Sequence, residues 1–185
     1  MKIKVMKYTP YLIIREHSAF YCDVSQNLNL ILKSPQDLSK VKTVSGLSSI
    51  DVYTDFPGAS YSCPDFPNLS RFELKQALKN HPDLQDKKLI AAVATVIQNK
   101  SINLWRLTAT PLLQHWLEAL SQHNILIQSL TPLAFQHAFS LGPVPTTVHY
   151  WISKTTDNQA RHICLIKGII AFVRYTPFVE RQLEM

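Results

Sequence analysis

Residues 11–33 read YLIIREHSAFYCDVSQNLNLILK, which is three short apolar runs separated by two polar breaks. The breaks fall at His17–Ser18 and at residues 25–27. Short runs rich in β-branched and aromatic residues, bounded by polar turns, are typical of strands. The stretch therefore predicts a three-strand meander with the bounds Tyr11–Glu16, Ala19–Val24 and Leu28–Lys33.

The next part of the chain is more polar and is interrupted by prolines. A Ser- and Lys-rich connection is expected after Pro35, followed by a strand over Ile50–Thr54. Prolines at 57, 64 and 67 then predict a long irregular loop over Asp55–Asn68. Ser70 and Glu73 have the spacing of a capping box, which predicts a helix from Arg71 that stops before Pro82.

The middle of the chain alternates strand and helix patterns. Two β-rich runs around a polar turn predict a hairpin, and two Thr-Pro pairs predict helix N-termini, because proline suits the first helical position. The first of these helices has Leu113, Trp116, Leu117 and Leu120 on one face, and Gly142-Pro143 ends the second. The predicted elements, in order, are strands Leu89–Ile97 and Ile102–Thr108, a helix from Thr110-Pro111 to Asn124, a strand Ile125–Leu130 and a short helix after Thr131-Pro132.

The last third predicts a second meander, with strands over Val148–Ser153, Arg161–Ile166 and Ile169–Tyr175. Three strands, then alternating helices and strands, then three strands again is the order in which actin-like folds are built. In such folds, each of the two ribonuclease-H-like lobes begins with a three-strand meander. We therefore expect an α/β, actin-like fold, with a first lobe over residues 1–143. Residues 144–185 are expected to be either the truncated start of a second lobe or an extension of the first lobe's sheet.

Three stretches carry a resemblance to a known family. They are DFPG at 55–58 with the prolines up to Pro67, LSRFEL at 69–74, and LIKGIIAFVRYTP at 165–177. Together they resemble the cytoplasmic actin-like domains of bacterial type II secretion protein L and type IV pilus assembly protein M. The resemblance implies a scaffold at the inner face of the inner membrane that docks the assembly ATPase or a membrane partner. It also implies a membrane segment beyond Met185, since relatives continue into one membrane helix.

Some members of that family bind ATP, and the glycines of this chain bear on that activity. Actin-type phosphate binding uses Asp-Xaa-Gly turns, where the backbone can approach the phosphates. Asp23 in the first meander is followed by Val24-Ser25, and the chain has only four glycines, all far apart. We therefore expect no nucleotide, no cofactor and no enzymatic activity.

Other chemistry finds little support in the sequence. The seven histidines show no metal-ligand spacing, so no metal site is expected. The formal net charge of +6 is scattered rather than clustered, which disfavours a nucleic-acid partner. The alternative to a scaffold is a metal- or ATP-dependent enzyme of the actin-like or ribonuclease-H class, with Asp23, Asp51 and Asp55 as its metal-binding carboxylates.

Two surfaces are candidates for protein contacts. Long ordered loops on a rigid sheet often carry binding residues, so the loop after the Ile50–Thr54 strand and the start of the following helix are the first candidate. A homodimer or a partner-dependent oligomer, formed partly through the second meander, is also expected. The predicted partner-binding residues are Asp55, Phe56, Tyr61, Phe66, Arg71 and Phe72, and the candidates for an exposed face of the second meander are Ile163, Leu165, Ile169, Ala171 and Val173.

Overall fold

The computed structural model describes residues 9–56, 59–62, 72–73, 76, 80, 89–96, 102–108, 110–140, 148–166 and 169–178. Its contacts divide the chain into two compact units, Met1–Phe56 with Thr108–Leu133, and Pro57–Leu107 with Ala134–Met185. Unit 1 is thus built from two separate stretches of sequence. Among the described residues, no helix combines the length and the apolar character needed to span a membrane. The predicted boundary between lobes at residue 143 stays a prediction.

The secondary structure is mixed, and its elements are numbered along the chain. A 3-10 helix at Pro35–Asp37 precedes α1, and the described residues Phe72, Glu73, Gln76 and Asn80 are helical. The strands are β1 (Tyr11–Ile14), β2 (Ala19–Asp23), β3 (Leu28–Leu32), β4 (Ser49–Thr54), β5 (Ala59–Ser62), β6 (Leu89–Val96), β7 (Ile102–Thr108), β8 (Leu126–Pro132), β9 (Val148–Lys154), β10 (Gln159–Ile166) and β11 (Ile169–Pro177), and the helices are α1 (Leu38–Ser45), α2 (Pro111–Gln122) and α3 (Leu133–Ser140).

Unit 1 is organised around a five-stranded sheet of order β3-β2-β1-β4-β8. The first three strands are antiparallel neighbours, whereas β4 pairs in parallel with both β1 and β8. The predicted first meander is therefore confirmed. A meander extended by parallel strands on the β1 side is the ribonuclease-H-like arrangement, and it places β1 in the middle of the sheet.

One face of this sheet forms the core of unit 1. Leu12 and Ile14 alternate with half-buried neighbours along β1, and both are fully buried, as is Tyr21 of β2. The apolar stripes of the helices are buried as well, through Leu38 and Val41 of α1 and through Leu113, Trp116, Ala119 and Leu120 of α2. This alternation fixes the register, because a slip of one residue would exchange the buried and exposed sets.

Helix α2 begins as the sequence predicts. Thr110 is extended at the N-cap, its Oγ1 accepts a hydrogen bond from the Leu113 N–H at 3.2 Å, and Pro111 is the first helical residue. The C-terminal end is defined by His123, with Asn124 following in the left-handed region at φ 52°. The cap satisfies one of the N–H groups that a helix terminus otherwise leaves unpaired.

Replacing Thr110 with alanine should lower the free energy of unfolding by about 1 kcal/mol, because the Leu113 N–H loses its acceptor. Urea unfolding followed by far-ultraviolet circular dichroism measures the change. Thr110→Ser keeps the hydroxyl and serves as the matched control. A serine variant that is as unstable as the alanine variant would show that the hydroxyl is not the stabilising group.

Two local predictions for unit 1 are wrong. The connection after Pro35 contains α1, which the polar composition concealed. The 3-10 turn just before it is held by Asp37, whose Oδ2 accepts from the N–H groups of Lys33 and Ser34 at 3.0 and 3.2 Å. The Thr131-Pro132 pair is not a helix cap, because both residues belong to β8 and Pro132 is the register partner of Thr54. Strand pairing overrides the local capping signal there.

Unit 2 contains two three-stranded sheets, β5-β7-β6 and β11-β10-β9. The predicted irregular loop therefore includes a strand, β5, which pairs antiparallel with β7. The neighbouring placement of β6 and β7 agrees with the predicted hairpin, while its turn lies outside the described residues. The second predicted meander is confirmed, since β9, β10 and β11 pair antiparallel in chain order.

Helix α3 covers one face of the β9-β10-β11 sheet. Ala134 and Phe135 are fully buried and form one cluster with Ile163, Leu165, Ile170 and Val173. Ile163, Leu165 and Val173 were candidates for an exposed face, but all three are buried. A bulge between Cys164 and Leu165 shifts the β11 register, so that Ile170 lies in the cluster and Ala171 at the surface.

Candidate functional site

The three carboxylates of the enzyme alternative are not brought together. Asp51 shares a cross-strand row with Tyr11, whereas Asp23 follows Tyr21 on the opposite, buried face of the sheet. Asp55 follows the end of β4, four strand residues from Asp51, which corresponds to about 13 Å. Among the described residues, no group of three or more His, Cys, Asp or Glu side chains is placed to hold a metal ion.

Asp23 holds the turn between β2 and β3. Its Oδ1 accepts hydrogen bonds from the Ser25 N–H at 2.9 Å, the Ser25 hydroxyl at 2.5 Å and the Gln26 N–H at 3.2 Å. Its Oδ2 accepts from the Tyr21 hydroxyl at 3.5 Å, and the residue is 3% exposed. Turn formation by a short acidic side chain is an ordinary structural role.

Asp51 lies among tyrosines on the other face of the sheet. Its Oδ1 accepts a hydrogen bond from the Ser129 hydroxyl at 2.5 Å, which links β4 to β8. A hydrogen bond with Cys22, together with burial, raises the pKa of Tyr11 to about 12. Burial also raises the pKa of Tyr53, with a further contribution from the charge of Asp51, and the rings of Tyr11 and Tyr53 pack edge to face at 6.0 Å.

Alkaline pH should therefore lower the free energy of unfolding of unit 1. A tyrosine with a raised pKa keeps its proton in the folded chain at a pH where the unfolded chain has lost it. The stabilising contribution is complete below the ordinary pKa of about 10 and is lost as the pH rises to about 12. Urea unfolding at several pH values should show this decline, and phenolate absorbance should follow the titration. Tyr11→Phe should flatten the decline; an unchanged pH dependence would contradict the assignment to Tyr11.

The described turns of the two meanders contain no glycine. The Arg15 N–H donates to the Ser18 carbonyl at 2.8 Å in the first turn, and the Thr155 N–H donates to the Gln159 carbonyl at 2.7 Å between β9 and β10. The left-handed positions in these turns are occupied by Asn27 and Asn158. The expected absence of a bound nucleotide stays a prediction.

Two of the predicted partner-binding residues are interior. Asp55 and Phe56 are 7% and 6% exposed. Tyr61 lies in β5 opposite Trp105, and Phe72 is 70% exposed in a helical segment. Phe66 and Arg71 lie outside the described residues, so the contact surface as a whole stays a prediction.

A cleft lies between the start of α1 and the end of α2. It has a volume of about 470 Å³ and includes His115, Glu118 and His123, together with Gln36 and Ser39. The Lys42 ammonium donates to the His123 carbonyl and so links the two helices. Two of the seven histidines of the chain thus line one cleft in unit 1.

The β9-β10-β11 sheet exposes large apolar side chains on the face opposite its buried cluster. We call this surface the outer face; its apolar residues are Val148 (65% exposed), Tyr150 (52%), Ile152 (59%), Ile166 (47%) and Phe172 (40%). The register places Tyr150, Cys164 and Phe172 in one row across three strands. The next row contains Ile152, His162 and Arg174. The expected contact through this sheet stays a prediction, and its large exposed apolar residues differ from the candidates that the sequence named.

Side-chain hydrogen bonds connect the rows of the outer face. The Tyr150 hydroxyl lies 2.7 Å from His162 Nδ1, and His162 Nε2 lies 2.8 Å from Thr176 Oγ1. The Tyr150 ring also packs at a tilt against Phe172, with ring centroids 5.9 Å apart. These contacts join all three strands and fix the orientation of the exposed aromatic side chains.

No family model matches the chain, and no curated protein matches it in sequence. Among solved structures, the cytoplasmic domain of EpsL, an inner membrane component of the type II secretion system of Vibrio cholerae, superposes on 91% of this chain and 70% of its own length, with a TM-score of 0.59 and 7% identity. The fold is actin-like. A chain of the PilM–PilN type IV pilus biogenesis complex superposes on 90% of this actin-like chain and 60% of its own length, with a TM-score of 0.61 and 12% identity. The predicted likeness to these domains is confirmed as a likeness of fold.

Proposed function

We propose that this chain is a protein-binding scaffold domain of a type II secretion or type IV pilus assembly platform. In this role it docks the assembly ATPase or an inner-membrane protein at the cytoplasmic side of the inner membrane, and it hydrolyses no nucleotide. The actin-like fold, found also in EpsL and PilM, supports the class of protein. The outer face carries the proposal, because clustered exposed apolar side chains are typical of protein contact sites.

The placement of the carboxylates favours the scaffold over the enzyme alternative. A metal-dependent ribonuclease-H-type centre requires carboxylates converging on one point, whereas Asp23 and Asp51 lie on opposite faces of the sheet. Both are also hydrogen-bonded to nearby side chains. We further propose that Tyr61 and Phe72 belong to a second contact surface, at the loop after β4 and the start of the following helix, as the sequence suggested.

Pairwise co-purification tests the proposed function. The full chain is co-expressed with each assembly ATPase and each platform protein of its own organism, and we expect a stable complex with one of them. Thermal unfolding with ATP and Mg²⁺ is the companion measurement, since a ligand at a hundred times its Kd would add about 2.7 kcal/mol of stability. No complex with any platform component, or a clear ATP-dependent increase in Tm, would overturn the proposal.

A further inference from the structure

We infer that the outer face binds an amphipathic helix of a partner protein whose polar residues near the contact are acidic. The inference rests on the proposed scaffold function and specifies the chemistry of the partner. It follows from three properties of the outer face: its apolar surface is not covered by α3, its exposed charges are cationic, and its length matches a short helix.

The first property is the uncovered layer. Sheets in α/β proteins bury an apolar face against helices, and α3 provides that cover on the Phe135 side only. On the other side, Tyr150, Ile152 and Phe172 are 40–59% exposed. An apolar surface of this kind gains free energy when a complementary layer removes it from water.

The second property is charge. The exposed charged side chains in β9, β10 and β11 are cationic, Lys154 and Arg174, and these strands contain no Asp or Glu. A second copy of the chain would bring the same cations and a formal net charge of +6 to the interface. Like charges oppose such an association, whereas carboxylates on a partner would complement it. The charge pattern therefore favours an acidic partner over self-association.

The third property is length. The row of Val148 and Ile166 lies at one end of the outer face, and the row of Lys154 and Thr176 lies at the other, six residues along β9. That separation is about 20 Å at about 3.4 Å per strand residue. A helix of about 14 residues covers the same distance. The carboxylates of the bound helix are expected at the end next to Lys154 and Arg174.

Binding of designed peptides tests the inference. Three 18-residue amphipathic helices share one apolar face and carry acidic, uncharged or basic residues on its flanks; each is labelled with fluorescein and titrated with the full chain. We expect the acidic peptide to bind about tenfold or more tightly than the basic one. Combined replacement of Tyr150 and Phe172 by alanine should weaken it about tenfold, since aromatic anchors dominate such contacts.

Charge reversal and a matched control identify the surface. Lys154→Glu with Arg174→Glu should make the basic peptide the tighter ligand, while Ile31→Ala, at a residue 70% exposed on β3, should change nothing. Equal binding of all three peptides, or insensitivity to the Tyr150 and Phe172 changes, would overturn the inference. So would a dimer in sedimentation velocity that the same two changes dissociate, since it would make a second copy the occupant.

The two proposals fail in different ways. If the co-purified platform component stays bound to the variant lacking Tyr150 and Phe172, the scaffold function stands and the outer face is not its contact. If the acidic peptide binds selectively but no platform component co-purifies, the acidic-helix surface stands and the platform assignment fails.

Discussion

Replacing Trp116 with alanine is expected to lower the free energy of unfolding by about 3–5 kcal/mol, the usual cost of truncating a buried aromatic side chain. Trp116 is the largest fully buried side chain among the described residues, at 2% exposure. It lies on the buried stripe of α2 with Leu113 and Leu120, both fully buried. Its removal leaves a cavity that the surrounding sheet and helix can fill only in part.

Urea unfolding of the full chain measures this loss. Leu126→Ala provides the control, because Leu126 begins β8 in the same unit and is 64% exposed. The control should change stability by less than about 0.5 kcal/mol. A Trp116→Ala loss below about 1 kcal/mol would mean that Trp116 is not part of the core of unit 1.

The second large effect concerns the two faces of the β9-β10-β11 sheet. Phe135→Ala should cost about 3–5 kcal/mol, because this fully buried ring fills the cluster beneath the sheet. Phe172→Ala on the outer face should cost less than half as much, since the ring is 40% exposed.

Both phenylalanines are measured under the same unfolding conditions, so the pair is its own control. The comparison also distinguishes the covered face from the uncovered one without any partner. Equal losses for the two variants would show that Phe172 is buried in solution and that the outer face is already covered.

The sequence predicted the strands well, because their signals are local. Apolar runs separated by polar turns in residues 11–33 and 148–177 gave both meanders to within two residues at each end. The Thr110-Pro111 pair also predicted the start of α2 correctly, since the observed cap and buried stripe lie where the sequence placed them. Helix α1 was not predicted, because only Leu38 and Val41 of its eight residues are buried and its apolar pattern is weak. The available signal was Asp37, whose side chain holds the 3-10 turn just before α1.

The candidate surface was harder to predict. Alternation indicates that a strand has two faces and does not tell which of them a helix covers. The covered face is the one that packs against Phe135, and this residue lies 28 residues before its cluster partner Ile163 in the sequence. The bulge at Cys164 and Leu165 adds a second obstacle, because it moves Ile170 rather than Ile169 or Ala171 into line with Leu165.

The parallel pairing of β4 with β8 has a consequence for the order of events during synthesis. Asp51 and Ser129, whose side chains join these strands, are 78 residues apart. While the chain emerges from the ribosome, β1 to β4 are complete long before their last partner exists, and one edge of β4 is unpaired in the meantime. Pairings between distant parts of a chain form late, and an open edge invites contacts with other chains. The first unit can therefore reach its native sheet only after Leu126–Pro132 has left the exit tunnel.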